Sequence, residues 1–349
     1  MRIRAALSNI EPNREHSEIT FSTSRSLGKL ELNRLISNLL TSSESQFAKK
    51  LSATVQEFNS SEWSKSYPNE VPEPYWQAYL AEQLNLEPRS SLPSDQREQA
   101  SREFRKKNVA SYLSICREIG KRKVAYAFSN MVFGISDKCV SDYLSQMHYI
   151  FEKSKMSIKE FCTETVSWQI QNEAIHLASK EKRESIKAGA EVSNPERVRR
   201  ITIALGELTA ILQKGSAGKD NHLHSSERGV FHFGETIAMD GSDSEIYSIL
   251  RDASDAGFLR LKHDGKKIVS FKVHASMAPA FGFSYRGSYY KVAIQKKELF
   301  EVLETSNEDE LAKIARKISD RISKNQLSTN QPSLFELNYK EEEDNGFEI

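Results

Sequence analysis

The residues best suited by type to handle phosphate are Gly215-Ser216-Ala217-Gly218-Lys219, where small residues free the backbone amides and a lysine follows. A phosphate-wrapping loop also needs a glycine at its head, so that the chain can curl round the anion, and a Ser or Thr after its lysine to hold magnesium. Gln213 and Asp220 occupy those places, so the string reads as a flexible connector. His222, His224 and His232 lie close in sequence, yet their spacing matches no closed tetrahedral set and no cysteine is near, so no metal is expected. Carboxylates are abundant but fall on solvated helix faces, and neither a glycine-flanked serine nor a Cys/His pair offers a nucleophile. The chain therefore reads as a binding protein without a cofactor rather than as an enzyme.

What remains is charge. Arg251, Arg260, Lys262, Lys266, Lys267 and Lys272 crowd one stretch, followed by Arg286 among Tyr285, Tyr289 and Tyr290. Cations interleaved with aromatics suit contacts to phosphates and bases, which makes those six cations, Arg286 and Tyr289 the candidate DNA-binding residues. The plainer alternative is a solvated hairpin whose lysines blunt an exposed edge. A second basic stretch, 102–123, sets eight Lys or Arg against two Glu and reads more readily as a solvated helix face.

These residues need elements to hold them. Asn194 as N-cap and Pro195 as first helical residue precede Val198, Ile201, Leu205, Leu208 and Leu212 on one helical face. A helix over 243–256 is predicted from the capping pair Ser242 and Glu245, from Ile246, Ile249, Leu250 and Ala253, and from Gly257 as its stop. Leu259 and Leu261 then alternate with Arg260 and Lys262, Asp264-Gly265 supplies a tight turn, and Val269, Phe271 and Val273 alternate with Ser270 and Lys272. That pattern is a β-hairpin. Helices followed by a basic hairpin is the order of a winged-helix module, in which a helix enters a groove and the wing touches the nucleic-acid backbone.

Upstream, the helical period dominates 102–182. Val109, Tyr112, Leu113, Cys116 and Ile119 form one stripe, Val140, Tyr143, Leu144, Met147 and Phe151 another, and Ile158, Phe161, Cys162, Thr165 and Trp168 a third. Downstream, Leu311, Ile314, Ile318 and Ile322 mark an amphipathic helix near 308–323. The expected fold is mainly α: a partly helical region of unclear fold over 1–90, a helical domain over 91–190, an α+β winged-helix domain over 191–300, a C-terminal helix over 301–325 and a disordered acidic tail over 326–349.

The 349 residues leave room for more than one core. A formal net charge of +1 with 28% charged residues gives no global bias toward polyanions or membranes, so any such bias is local. Cys116, Cys139 and Cys162 stand far apart and read as reduced core thiols rather than a disulfide framework. No apolar run approaches the roughly 18 residues a membrane span needs, and the first ten residues are too weakly apolar for a secretory signal. A cytoplasmic protein without membrane contact is expected.

In the tail, Gln331-Pro332-Ser333-Leu334-Phe335 resembles the pentapeptide by which bacterial polymerases and repair proteins grip the sliding clamp, with Pro332 in place of the usual leucine. Gln331 would hydrogen-bond at a pocket mouth while Leu334 and Phe335 act as apolar anchors on a leash, so these are the candidate partner-binding residues. Two further stretches, Gly134-Ile135-Ser136-Asp137-Lys138-Cys139-Val140-Ser141-Asp142-Tyr143-Leu144 and Phe271-Lys272-Val273-His274-Ala275-Ser276-Met277-Ala278-Pro279-Ala280-Phe281-Gly282, resemble the lid helix and the closing segment of the winged-helix domain in bacterial Orc/Cdc6-like AAA ATPases. That set is associated with DNA transactions and phage defence, and the resemblance spans residues 102–301.

The resemblance implies a helical lid and a winged helix that work with a partner ATPase. The family's lid helix presents an arginine to nucleotide where this chain has Ser141, and no Walker A or Walker B stretch occurs upstream. It therefore implies a portion without the P-loop domain, unable to hydrolyse ATP alone. The expected function is a DNA-binding accessory protein, and the rival is a protein-interaction adaptor tethered to the sliding clamp through its tail. If the tail is a tether, deleting 331–335 abolishes recovery of the chain on an immobilised clamp. Unchanged recovery removes that reading.

Overall fold

Apolar residues at helical spacing after Asn194 need one surface to bury them, and in the computed structural model of this chain they bury each other. The structure describes residues 26–28, 49, 52–53, 126–186, 193–214, 228–233, 244–265, 267–285, 290–305 and 307–327. Helix α5 (Pro195–Lys214) is capped as its sequence asks, with the Arg197 amide donating to Asn194 Oδ1 at 3.2 Å. Its face of Val198, Ile201, Leu205, Leu208 and Leu212 is almost wholly withdrawn from water. Thr202, Ile203, Ala204, Thr209 and Ala210 are buried as well, so α5 is enclosed on more sides than the one stripe its helical period marks.

Around α5 the chain places strand β1 (Arg228–His232), helix α6 (Ser244–Asp255), the hairpin β2 (Leu259–Asp264) and β3 (Lys267–Val273), strand β4 (Tyr290–Ala293), and helices α8 (Lys296–Glu304) and α9 (Glu308–Leu327). A 3-10 turn (Ala275–Met277) and the short helix α7 (Ala278–Phe281) lie between β3 and β4. The sheet runs β2-β3-β1-β4, antiparallel between β2 and β3 and between β3 and β1, and parallel between β1 and β4. The hairpin turns at Asp264-Gly265 as its sequence predicts, with Gly265 at φ 57, a conformation a side chain would disfavour. Ile246, Ile249, Leu250 and Ala253 of α6 join Leu259, Phe271 and Val273 of the hairpin and Leu311, Ile314 and Ile318 of α9 in one continuous core.

The preceding helices form a second unit. They are α1 (Ser129–Ser136), α2 (Val140–Ser154), α3 (Ile158–Thr163) and α4 (Trp168–Ser185), with α2 packed between α1 and α4. Met131, Val132, Ile135, Met147, Ile150, Ala174 and Ile175 are buried here. Of the helical unit's apolar residues only Ile186, the C-cap of α4, belongs to the core built around α5, and α4 packs directly on α7.

Two stripes expected from the sequence differ from what forms. Val140 is 71% exposed and Leu144 39% exposed, because α2 turns Gln146, Met147 and Ile150 inward instead. The third stripe is split: α3 stops at Thr163, Glu164 is extended, and α4 starts afresh after Ser167, so Thr165 lies exposed between helices. Ser157 and Glu160 make a full capping box that starts α3 as a separate turn of helix. The stripe through Val109 and Cys116, the capping residue Ser242 and the tail fall outside the described residues.

One buried side chain ties the helical unit together. Gln171, fully withdrawn from solvent, accepts from the Phe128 amide at 2.7 Å and donates to the carbonyls of Leu27 at 3.0 Å and Val166 at 2.8 Å. Ser26 donates from Oγ to the Phe161 carbonyl and accepts the Val166 amide, and Leu27 is fully buried. A segment of the N-terminal region is therefore part of the helical unit. Replacing Gln171 with leucine leaves one amide and two carbonyls without partners, and is expected to lower unfolding stability by roughly 3 kcal/mol, read as a lower urea midpoint with the m-value unchanged.

Candidate nucleic-acid interface

Position along the hairpin separates its cations into those near the strand ends at Arg260 and Lys272 and those toward its turn. Arg260 and Lys272 are cross-strand partners, so they share the sheet face opposite the one that carries Leu261 and Phe271 into the core. That face meets the turn between α1 and α2. Arg260 donates from Nε to Asp137 Oδ2 at 3.0 Å and from Nη2 to the Asp137 carbonyl at 2.5 Å. Asp137 and Lys138 both have positive φ, 47 and 63, an arrangement that costs about 1–2 kcal/mol per non-glycine residue. The strained turn aims both oxygens of Asp137 at the arginine.

Asp142, one turn into α2, lies beside that contact. Lys182 of α4 donates to both its carboxylate oxygens, at 2.7 and 2.6 Å, with both side chains largely buried. His274, just beyond β3 and 2% exposed, sits with Nδ1 3.4 Å from Asp142 Oδ2 and Nε2 3.8 Å from Asp137 Oδ2. Its Nδ1 accepts the Ser276 amide at 3.2 Å, the neutral form with the proton on Nε2. Burial first, then the charges of Lys182, Arg260 and Lys272, push the His274 pKa from 6.5 down to about 2. Lys272 is half-buried; desolvation lowers its pKa, Asp137 opposes that shift and Arg260 adds to it.

The other cations face water. Lys267 is exposed and Lys262 half-buried toward the hairpin's far end, on and beside the edge strand β2. Arg251 stands on the exposed face of α6, 3.5 Å from Asp255. That helix face carries Glu245, Asp252 and Asp255 against the single arginine, and Glu245 is held by Arg197. Lys266, Arg286, Tyr289, Gln331, Leu334 and Phe335 lie outside the described residues, as do the glycine-bearing loop, His222 and His224. Among the described residues no cluster of His, Cys, Asp or Glu converges to hold a metal ion, and no helix is long and apolar enough to cross a membrane.

The sequence reading did not anticipate the polar seam between the units. Tyr126 donates from its hydroxyl to the Phe283 carbonyl at 2.8 Å, and the Ala280 amide donates to Ser179 Oγ at 3.0 Å. Arg183 of α4 stacks over the Phe281 ring and reaches Glu308 at 3.5 Å. The Tyr285 ring lies so close to the Gly134 backbone that any side chain at 134 would overlap it. Acidic residues three and eight places after a helical glycine and a histidine just past a strand carry no local signal of contact, so only the fold brings them together.

A family model described as ORC-CDC6-like matches residues 3–294. The chain belongs to the ORC-CDC6-like family. No curated protein and no solved structure matches it. As an ORC-CDC6-like protein it is related to AAA ATPases. The match starts far upstream of residue 102, where the sequence resemblance begins, and the burial of Ser26 and Leu27 against α3 and α4 gives that extension a physical counterpart.

His274 makes the seam acid-sensitive in a defined direction. Its folded pKa lies below its ordinary value of 6.5, so the unfolded chain binds the extra proton. Stability is complete above the unfolded pKa and falls as pH drops from about 6.5 toward 2, by about 1.4 kcal/mol per pH unit. Asparagine can accept the Ser276 amide without titrating. His274→Asn is expected to remove that slope between pH 6.5 and 5, measured as unfolding free energy at each pH.

Proposed function

We propose that this ORC-CDC6-like chain is a DNA-binding accessory protein in which the hairpin acts as a phosphate-contacting wing. The observation that carries the reading is the hairpin itself: an edge ribbon with Lys262 and Lys267 toward its outer end, next to Lys266 in sequence, on a unit with a helix-strand-helix-hairpin order. The sheet order β2-β3-β1, with α5 and α6 packed against it, supports reading the unit as a winged helix. Family membership supports a role alongside DNA and ATPase assemblies.

The electrostatics favour a particular mode of contact. A helix that reads bases from the major groove approaches two rows of phosphate, and the exposed carboxylates of α6 oppose that approach. The hairpin tip has the opposite sign. Binding led by the wing positions the protein on the backbone and discriminates little between sequences. On this reading ATP hydrolysis, where the DNA transaction needs it, is the work of a partner ATPase.

A second reading draws on the same helix. The carboxylate face of α6 suits a basic protein surface, which would make this unit the adaptor's docking face and the tail its tether. Duplex binding separates the two. Replacing Lys262, Lys266 and Lys267 together with alanine is expected to weaken binding to unrelated duplexes equally and to flatten the slope of log K against log salt by about 2–3 units, measured by fluorescence anisotropy. Binding that ignores both the substitutions and salt rejects the wing, and a sequence-dependent loss rejects backbone-led contact.

A further inference from the structure

We infer that the helical unit closes over half of the wing's basic surface, with the carboxylates of Asp137 and Asp142 standing where two phosphates would stand. This inference rests on the DNA-binding reading above and says which conformation binds. Of the hairpin's described cations Lys267 is exposed, while Arg260, Lys262 and Lys272 are half-buried and Arg260 already holds a carboxylate. Arg260 and Lys272 face inward, and Arg260 spends its guanidinium on the carboxylate and carbonyl of Asp137, the fork contact it would equally make to a phosphate. Asp142 lies beside it, joined to Lys182 and next to His274. A nucleic-acid backbone following the wing inward from Lys262 must displace these carboxylates.

The seam has the features of a contact that opens. From the helical unit the apolar core around α5 takes only Ile186, the residue that caps α4, so the two cores are largely distinct. What spans the seam is the packing of α4 on α7 and on the 3-10 turn, of α1 on that turn, of Arg183 on Phe281 and of Tyr285 on Gly134, with the ion pair of Arg260 and the hydrogen bonds of Tyr126 and Ala280 beside it. At the contact point Asp137 and Lys138 are two consecutive residues held in the left-handed region without glycine. Opening would present Arg260 and Lys272 beside Lys262 as one row of cations.

The test uses the full chain with a fluorescently labelled random-sequence 20-base-pair duplex. Two variants open the seam by different routes: Asp137→Asn with Asp142→Asn removes the competing charges, and Gly134→Leu wedges Tyr285 away without changing charge. Circular dichroism confirms folding, and hydrogen exchange at the Ala280 amide reports separation. Both variants are expected to speed that exchange, to tighten duplex binding about tenfold, and to steepen the salt slope by about 1–2 units. Adding Arg260→Ala to either is expected to cancel most of the gain.

Tighter binding in the charge variant alone would mean that net charge, not exposure of Arg260, is responsible, and would overturn the inference. So would faster exchange with unchanged affinity, or exchange unchanged in both variants. In each of those cases, wild-type binding that still collapses on loss of Lys262, Lys266 and Lys267 leaves the wing reading intact. A wild-type chain and open variants that all fail to bind the duplex would reject the wing reading, and this inference with it.

Discussion

A guanidinium, two lysine ammonium groups and two carboxylates meet where the helical unit touches the sheet, and the relative position of the two units depends on their balance. Arg260 cannot shed its charge, and its neighbours Lys182 and Lys272 lie within the same partly dry space. Without Asp137 and Asp142 the three cations would repel one another and carry a desolvation penalty with nothing to offset it. Burial and the charges of Lys182, Arg260 and Lys272 keep His274 unprotonated although two carboxylates lie nearby. Its lone pair goes to a backbone amide, and the carboxylates are already engaged by Lys182 and Arg260.

Each unit on its own follows simpler rules. Around α5, apolar residues at helical spacing pack on alternating strand residues, and the antiparallel hairpin extends a sheet whose far strand, β4, runs parallel to β1. In the helical unit the constraint is the buried backbone at 27, 128 and 166, which Gln171 satisfies with one side chain. Leucine in its place would pack as well and leave three polar groups dry. The helices are thus ordered as much by a polar key as by their apolar stripes, whose outer members Val140 and Leu144 remain in water.

The legibility of these features in the sequence follows from the range of the interaction behind each. Helix α5, helix α6, the Asp264-Gly265 hairpin and the α9 stripe are local patterns whose caps, stops and periods lie within a few residues, and each forms as read. Strand β4 and its parallel pairing with β1 have no local signature, since Tyr290 and Arg228 are partnered only by the fold. The cations of the hairpin were equally visible, but their direction was not. Strand alternation puts Arg260, Lys262 and Lys272 on one face, yet nothing in the hairpin's own residues tells that Asp137 lies across from Arg260. The signal that could have flagged it is the strained, glycine-free turn at Asp137-Lys138, and backbone strain is a property of coordinates, not of residue types.

Two roles for basic residues on a hairpin need separating. An exposed edge strand invites pairing with another chain, and lysines with a register shift are common protection: β2 is such an edge, Lys262 and Lys267 flank its end, and the register shifts between Lys262 and His263. Edge protection accounts for those two lysines without any ligand. It does not account for Arg260 and Lys272, whose face is covered by a second unit and whose charges need carboxylates opposite them. An ion pair taken out of water gains little over well-packed apolar side chains of similar size. An apolar seam would therefore have joined the units at least as firmly, and more permanently, because apolar surfaces gain nothing from water on separation. Charged groups recover their hydration when they part. Where the seam meets the hairpin it is charge on charge, beside the packing of α4 on α7, and a polyanion that supplies its own negative groups to Arg260 and Lys272 lowers the energy of the open contact there.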